Sequence, residues 1–514
     1  MSTRNPRVTE TTALLNNAPP SQPRDKSPSA TTWYWPWPPS YWAILPTIFL
    51  TGLFITPAAI MLPPLLKRLF CERGIPGLVA VHPSPNNHDP PNCDSAEYSA
   101  AVAKFFSIVV SSAAGFVTLT ARFWSSLSDR IGRKRVLLIG SFALVLSQAL
   151  TLVVIHFRGA SLYLFWLSGI VEGLSGSVLT IIALTHAYAA DVTAPEKRTV
   201  VFGRIMAAYY AGVGLGAAWA GVVVKEYDLV TVFWLIPILG LVNTLLLLLI
   251  PESLTWNTNK PKTLSNSQSI DTLVTVADEN PVMKQDTSIA SRVEAFVRSF
   301  VPEQLPNTLG VKYGATKIMI VGFLALSAII GLTYQAPIYL MFRFHWSEAQ
   351  LGLVATIQGL SRFIVLTSVI PLLKLFVPAN SNAASNIEFD LKVMMAATFL
   401  EASTLFMYGL ATFGELFYLG GVTGALGSMY FPTSRSILSR TVAPNMLGAT
   451  LGTIATFESV AAIVSPLIFG WFYSVTLETY PEAIFFLGAL MAFAAWSLTV
   501  YVFIVHRRNS ANRS

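Results

Sequence analysis

The chain has 514 residues, of which 53% are hydrophobic and only 12% are charged. Soluble globular domains carry about 25% charged residues, so this composition excludes an ordinary soluble protein and indicates a chain that crosses a membrane many times. The net charge of +7 does not indicate a nucleic-acid partner, because the basic residues are spread among apolar segments, as is typical of cytoplasmic loops.

The N-terminal segment, residues 1–40, is polar and rich in Pro and Ser. No apolar segment that could act as a cleaved signal peptide precedes residue 41, so we expect a disordered cytoplasmic tail. Within it, Glu10, Leu14 and Leu15 have the spacing of an acidic dileucine sorting signal. This motif predicts a sorting adaptor as a partner and a vacuolar or lysosomal membrane as the destination, with the plasma membrane as the alternative.

Apolar segments long enough to cross a bilayer follow the tail, since a membrane helix needs about 20 apolar residues. Six lie in an N-terminal bundle over 41–250 and six in a C-terminal bundle over 314–506; a polar cytoplasmic linker over 251–313 separates them, and a tail over 507–514 follows. The twelve predicted spans lie near 41–66, 100–124, 136–157, 161–187, 200–223, 229–250, 316–341, 350–377, 391–413, 415–434, 447–473 and 481–505.

The two halves resemble each other in sequence. Gly216 and Gly221 in the fifth span recur in the same order as Ser465 and Gly470 in the eleventh. Such internal duplication is a feature of transporters whose site lies between two halves. Lys and Arg are several times more frequent on the side of the two termini than in the opposite loops, which predicts cytoplasmic termini. We therefore expect an all-α, multi-pass membrane protein with twelve transmembrane helices in two pseudo-symmetric six-helix bundles.

The two cysteines, Cys71 and Cys93, are both assigned to the polar stretch after the first span. A disulfide between them is expected if this stretch faces an oxidising compartment, and two free thiols are the alternative. Their spacing is not that of a metal site, and we expect no metal and no cofactor.

A highly charged stretch lies between the second and third spans. Such a cluster cannot lie in hydrocarbon, so it predicts a short aqueous turn between two membrane helices. Its key positions are Asp129, Arg130, Gly132, Arg133 and Lys134. This pattern resembles the loop between helices 2 and 3 of the major facilitator superfamily, although Ser125 stands where Gly is usual. The resemblance extends over 41–506 and implies a carrier of solutes.

The same resemblance implies a gating latch. In the family, the motif Asp contacts the N-terminal end of helix 11, and a motif Arg pairs with an acidic residue below helix 4. These roles fall to Asp129 and to the pair of Arg133 and Asp191. A carboxylate is stabilised at the positive end of a helix dipole, so these contacts would tie the halves together in the outward-facing state and break on inward opening. The alternative is that the basic residues only set the topology.

The fifth span has small residues at spacings that favour close helix packing. The pattern resembles the glycine pattern of drug–proton antiporters, with Ala217 in place of a Pro, so simple close packing is the alternative to an antiporter-like role. After the sixth span, residues 251–253 are expected only to end the helix. The glycines assigned to helix packing are Gly203, Gly212, Gly216 and Gly221.

Charged side chains inside a membrane are costly and are functional candidates by default. A carboxyl that alternates between buried and accessible surroundings can take up and release a proton, so we assign Glu172 first and Glu458 second to proton coupling. Arg362 is interpreted either as the counter-ion of Glu458 or as an anchor for an anionic substrate group. Glu401 is harder to place, because the ninth helix lies outside the cavity in this family.

Polar side chains in the seventh and eighth spans complete the predicted cavity. Tyr334, Gln335 and Gln358 are expected to bind substrate, and Pro337 is expected to interrupt the seventh helix. His186 is interpreted as a structural residue at the membrane interface.

These patterns predict a secondary active transporter and not an enzyme. We expect a monomer in the lipid bilayer that moves a small organic anion or vitamin-like solute together with protons by alternating access, and that resembles the branch of drug–proton antiporters and proton-coupled folate carriers. No phosphate-binding loop appears, so ATP is not expected to drive transport. The alternatives are a drug–proton antiporter that exports its solute and a transporter-like nutrient receptor.

Overall fold

The computed structural model describes residues 39–73, 95–157, 161–193, 198–253, 314–369, 372–373, 383–441 and 447–511, and within these ranges the secondary structure is helical. The dileucine motif, Cys93 and almost all of the predicted linker lie outside the described residues.

The helices are numbered α1 to α14 in chain order. Those of the N-terminal half are α1 (Tyr41–Arg73), α2 (Ala96–Ile131), α3 (Arg133–His156), α4 (Leu164–Leu174), α5 (Ser177–Val192), α6 (Arg198–Glu226) and α7 (Leu229–Leu248). Those of the C-terminal half are α8 (Gly314–Phe344), α9 (Glu348–Ile364), α10 (Ala383–Gly409), α11 (Leu416–Gly427), α12 (Tyr430–Thr441), α13 (Leu447–Thr476) and α14 (Ala483–Ala511). Helix α9 continues as a π-helical turn over Val365–Val369.

Ten helical segments among the described residues are long and apolar enough to cross a membrane, with α4 and α5 together forming one of them. The predicted ninth and tenth spans correspond to α10 and to α11 with α12, which are not among the ten. The tenth span is divided into two helices of 12 residues each, so neither half spans a bilayer alone. The total of twelve stays a prediction. Several helices extend beyond the predicted spans: α2 continues to Ile131, α10 begins at Ala383, the tenth span continues to Thr441, and the first continues to Arg73, so that Cys71 is a helical residue. The predicted interruption of the seventh span was wrong, because Pro337 lies within the continuous helix α8.

Helix α1 remains helical although it contains four prolines. Pro57 has no N–H, so it leaves the carbonyl of Leu53, four residues earlier, without its usual helical partner. The indole Nε1 of Trp219 on α6 donates to this carbonyl at 3.1 Å. A neighbouring helix therefore supplies the hydrogen bond that proline removes, as a membrane interior requires.

The fourth span is broken between α4 and α5. Gly176 adopts a positive φ of 89°, a conformation that favours glycine. At the break, the Leu174 carbonyl accepts a hydrogen bond from the indole of Trp124 on α2 at 2.8 Å. The Gly173 carbonyl accepts hydrogen bonds both from the backbone N–H of Gly176 (3.0 Å) and from the Thr120 hydroxyl on α2 (3.1 Å). The tenth span is broken at the corresponding place, between α11 and α12.

The most extensive contacts between the halves are those of α6 with α9 and of α2 with α13. In span numbers these are the fifth with the eighth and the second with the eleventh. With the predicted six spans in each half, a two-fold relation between the halves exchanges these two pairs. The packing between the halves therefore has the pseudo-symmetry that the internal duplication predicts.

Candidate functional site

The break in the fourth span places a carboxyl group inside the bundle. Glu172 lies in the last turn of α4, and its Oε1 accepts a hydrogen bond of 2.6 Å from the hydroxyl of Ser177, the first residue of α5. The hydroxyl of Ser175 donates to the backbone carbonyl of Glu172 at 2.8 Å. The Glu172 carboxyl also interacts electrostatically with Tyr334 of α8, in the other half. The predicted proton-coupling residue thus lies at an irregular point of a membrane helix and faces the opposite half.

Tyr334 and Gln335 lie where α8 meets α2. The Gln335 side-chain amide donates to the hydroxyl of Ser107 at 2.9 Å, and the residue is completely buried. Its Oε1 has no hydrogen-bond partner among the described residues. The ring of Tyr334 packs edge-on against Phe106, with 5.4 Å between ring centroids. In this conformation both residues contact the other half, and the Gln335 side chain is closed off from solvent.

Arg362 on α9 lies close to the boundary between the halves. Its guanidinium carbon is 5.6 Å from the centre of the Tyr210 ring on α6, a cation–π distance. It interacts electrostatically with Glu401 of α10. Glu401 is 9% exposed and lines a small cavity with Tyr430. The structure therefore places the Glu401 side chain in the interior of the C-terminal half. The sequence alone did not predict its surroundings, because the ninth helix lies outside the cavity in the family.

Glu458 on α13 is paired with a residue that the sequence interpretation missed. Both of its carboxylate oxygens accept hydrogen bonds from Nη2 of Arg435 on α12, at 2.8 and 3.0 Å. The prediction that Arg362 is the counter-ion of Glu458 was therefore wrong. Arg435 also interacts electrostatically with His186 of the other half. The predicted tenth span ends at residue 434, one residue before Arg435. Extending that span by one helical turn would have identified Arg435 as an intramembrane charge.

Gln358, the third predicted substrate-binding residue, is half-buried on α9. Its side chain interacts with Tyr408 of α10 and lies beside Gly421 of α11. It therefore faces the interior of the C-terminal half. The predicted polar residues do not form one cluster: Gln358 is grouped with Arg362 and Glu401, whereas Tyr334 and Gln335 lie next to α2.

The charged motif forms a network at the turn between α2 and α3. The Arg133 guanidinium contacts Asp129 at 2.6 Å, Asp191 at 3.3 Å and the hydroxyl of Ser128 at 2.5 Å. The hydroxyl of Ser253, just after α7, donates to Asp191 at 3.1 Å. The Asp129 side chain is 61% exposed. The first side chains of α13 lie outside the described residues, so the contact of Asp129 with that helix end stays a prediction.

Glu252 stabilises the start of α3. The sequence predicts for residues 251–253 only that they end the preceding helix. The Glu252 carboxylate accepts hydrogen bonds from the backbone N–H groups of Arg133 (2.9 Å) and Lys134 (3.2 Å). The residue before α3 is Gly132, which has no side chain to cap the helix and has a φ of 108°. A Cβ at Gly132 would collide with the Glu252 carboxyl group. The glycine thus makes room for a carboxylate supplied by another segment.

We expect Glu252→Ala to lower the thermal stability of the purified protein. The change leaves two N–H groups at a helix start without an acceptor, and loss of such a cap costs about 0.5–2 kcal/mol. The melting temperature in detergent should fall by about 1–3 °C. Glu226→Ala is the matched control, because Glu226 is exposed at the end of α6. Equal melting temperatures for the two variants would contradict the capping role.

The glycines of α6 contact two different helices. A Cβ at Gly212 or Gly216 would collide with the backbone of α1, whereas a Cβ at Gly221 would lie 3.3 Å from the Ala349 carbonyl of α9. Gly203 is different: a Cβ there would meet no described atom within 4 Å. The packing role predicted for Gly203 does not agree with this structure.

These features define a class of protein: a polytopic membrane protein with two pseudo-symmetric helical halves and ionisable groups where they meet. The sequence pattern of the Major Facilitator Superfamily matches residues 44–380. The chain belongs to this family, whose members are transporters and not enzymes.

The chain is similar to several curated proteins and solved structures. It is 26% identical to the MFS-type transporter avaJ of Aspergillus versicolor over 72% of this chain and 70% of that protein. It is 21% identical to the class E tetracycline resistance protein of Escherichia coli, over 75% of this chain and 83% of that protein. The crystal structure of the human organic anion transporter MFSD10 (TETRAN) superposes with a TM-score of 0.60 at 19% identity, over 90% of this chain and 100% of that one. The crystal structure of a D-xylose–proton symporter superposes with a TM-score of 0.58 at 15% identity, over 89% of this chain and 97% of that one.

Proposed function

We propose that this transporter moves a small organic anion or vitamin-like solute together with protons by alternating access. The observation that carries the proposal is Glu172, a carboxyl at the break of a membrane helix that is hydrogen-bonded by Ser177 and faces Tyr334 across the boundary between the halves. Its surroundings must change when the halves move. Such a group is suited to take up a proton on one side and release it on the other.

The cations between the halves support an anionic solute. Arg362 and Arg435 lie on helices that face the N-terminal half, and they interact with Tyr210 and His186 of that half. A guanidinium group binds carboxylates with paired hydrogen bonds. The similarity to an organic anion transporter and to a proton symporter agrees with this proposal.

Drug–proton antiport is the second candidate. The similarity to tetracycline resistance proteins and the close packing of Gly212 and Gly216 against α1 favour it. In antiport, the solute moves against the direction of the protons. The two candidates therefore make opposite predictions about the pH gradient that drives uptake.

Flux into proteoliposomes under pH gradients of either sign tests the proposal. Labelled benzoate, succinate, folate and tetracycline are suitable solutes. We expect uptake of a carboxylate when the outside is acidic relative to the lumen. Uptake of tetracycline with the lumen acidic would establish antiport instead, and binding without flux of any solute would favour the receptor alternative.

We also propose that both termini are cytoplasmic, that the chain works as a monomer, and that Asp129, Arg133 and Asp191 act as the latch. The ion pair of Arg133 with Asp191 supports the latch. Accessibility of terminal tags to a protease in intact cells tests the orientation.

Replacing Leu14 and Leu15 by Ala should move the tagged protein from a vacuolar or lysosomal membrane to the plasma membrane if the dileucine motif is used.

A further inference from the structure

Only one nitrogen of the Arg435 guanidinium donates hydrogen bonds to its partner, Glu458. Both contacts with Glu458 are made by one nitrogen, Nη2, and no other hydrogen bond of Arg435 occurs among the described residues. A guanidinium has five N–H donors, so the donors on Nε and Nη1 remain available. The Arg435 side chain is 46% exposed and that of Glu458 is 25% exposed. The pair is therefore accessible and unsaturated, unlike a buried structural ion pair.

Arg435 interacts electrostatically with the opposite half. Its electrostatic partners include His186 of α5, in the N-terminal half, and Tyr430, which in turn interacts with Tyr210 of α6. A charged side chain directed at lipid would be costly. Arg435 therefore combines a large exposed fraction with an interaction across the boundary between the halves.

Arg362, the anion anchor expected from the sequence, is in a different situation. Its charge lies near the buried carboxyl of Glu401 and over the Tyr210 ring. The neighbouring carboxylate and aromatic ring already stabilise this cation within the protein. The Arg362 side chain makes no hydrogen bond or ion pair with another described residue, but it is less exposed than Arg435, whose side chain is 46% exposed. This greater exposure makes Arg435 the better placed of the two to bind an incoming anion.

We propose that Arg435 binds the carboxylate of the transported solute and that this carboxylate competes with Glu458 for the guanidinium. The proposal rests on the proposed function, because it names the residue that recognises an organic anion. Bidentate binding of a carboxylate is the geometry that a guanidinium fork favours. Solute binding would release Glu458 from its ion pair and leave it free to accept a proton.

Binding to purified protein in detergent tests the proposal without knowledge of the natural solute. The probes are benzoate, succinate and folate, with benzamide as an uncharged analogue and tetracycline as a drug. The readout is the thermal stabilisation of the protein as a function of probe concentration. We expect at least one carboxylate, and not benzamide, to stabilise the native protein.

The variants have opposite expected effects. Arg435→Gln should weaken binding of that carboxylate at least about tenfold, since a charge-assisted pair is lost, and Arg435→Lys should give an intermediate loss. Glu458→Gln should tighten binding severalfold, because the competing carboxylate is removed. Arg508→Gln, at an exposed site near the end of α14, should leave binding unchanged. A purely structural ion pair predicts that Arg435→Gln and Glu458→Gln both destabilise the protein without opposite shifts in affinity.

The outcomes separate this proposal from the proposed function. Carboxylate binding that Arg435→Gln leaves unchanged would overturn the role of Arg435 while an anion transporter remains. Weaker binding in both Arg435→Gln and Glu458→Gln would overturn the competition. Stabilisation by tetracycline but by none of the carboxylates would overturn both the anion site and the proposed symport, as would no stabilisation by any probe.

Discussion

Replacing Glu172 by Gln should abolish accumulation of solute driven by a pH gradient while leaving exchange of solute across the membrane. Glutamine keeps the size of the side chain and can accept the hydrogen bond from Ser177, but it cannot carry a proton. For electroneutral symport of one proton with one solute, a gradient of one pH unit supports about tenfold accumulation. In the variant, accumulation should fall to the level reached without a gradient.

The measurement is uptake into proteoliposomes with and without the pH gradient, followed by exchange with unlabelled solute inside. Glu478→Gln is the control for loss of a carboxylate, because Glu478 is exposed in the turn between α13 and α14. If Glu172→Gln accumulates solute as the control does, Glu172 is not the coupling residue. Loss of both accumulation and exchange would instead indicate a role in binding or in the conformational change.

Replacing Gly359 by Ala should reduce transport about tenfold or more. A Cβ at this position on α9 would lie 2.5 Å from the backbone N and 2.6 Å from the Cα of Gly214 on α6. Backbone atoms in two packed helices cannot move aside singly, so the halves must separate at this contact. Overpacking costs about 1–3 kcal/mol, and 1.4 kcal/mol is about a tenfold change in the population of the packed state.

Gly203→Ala is the matched control for this prediction, because Gly203 lies on α6 and a Cβ there meets no described atom within 4 Å. The initial rate of uptake compares the variants, and a cysteine pair across α6 and α9 reports whether the helices still meet. Transport by Gly359→Ala equal to that of Gly203→Ala would show that this contact is not needed in the cycle. Reduced transport with an unchanged cross-link would indicate a different cause.

The broken fourth span gives the Glu172 prediction its physical basis. A break in a membrane helix is tolerated only when other groups satisfy the freed carbonyls, and at the end of α4 the Trp124 indole of α2 does so for Leu174. Helix α2 is also one of the helices that contact the other half, through α13. The irregular backbone beside Glu172 is therefore stabilised by a helix that must adjust when the halves move.

Much of the fold could be predicted from the chain itself. Apolar segments of membrane length and the repeated small residues follow from the solvent properties of a bilayer, which act on each segment separately. For the same reason the sequence indicated the charged turn at 129–134 and intramembrane candidates such as Glu172. The family was also identified correctly from the motif residues, and the matched sequence pattern confirms it.

What each charged side chain faces was decided only by the tertiary structure. Glu458 pairs with Arg435 and not with Arg362, and Glu401 is buried inside its half, because these contacts depend on how different helices pack against each other. The capping of α3 by Glu252 has the same origin, since more than one hundred residues separate the two segments. Hydropathy and spacing describe one helix at a time, whereas the partner of a buried charge depends on how helices pack around it.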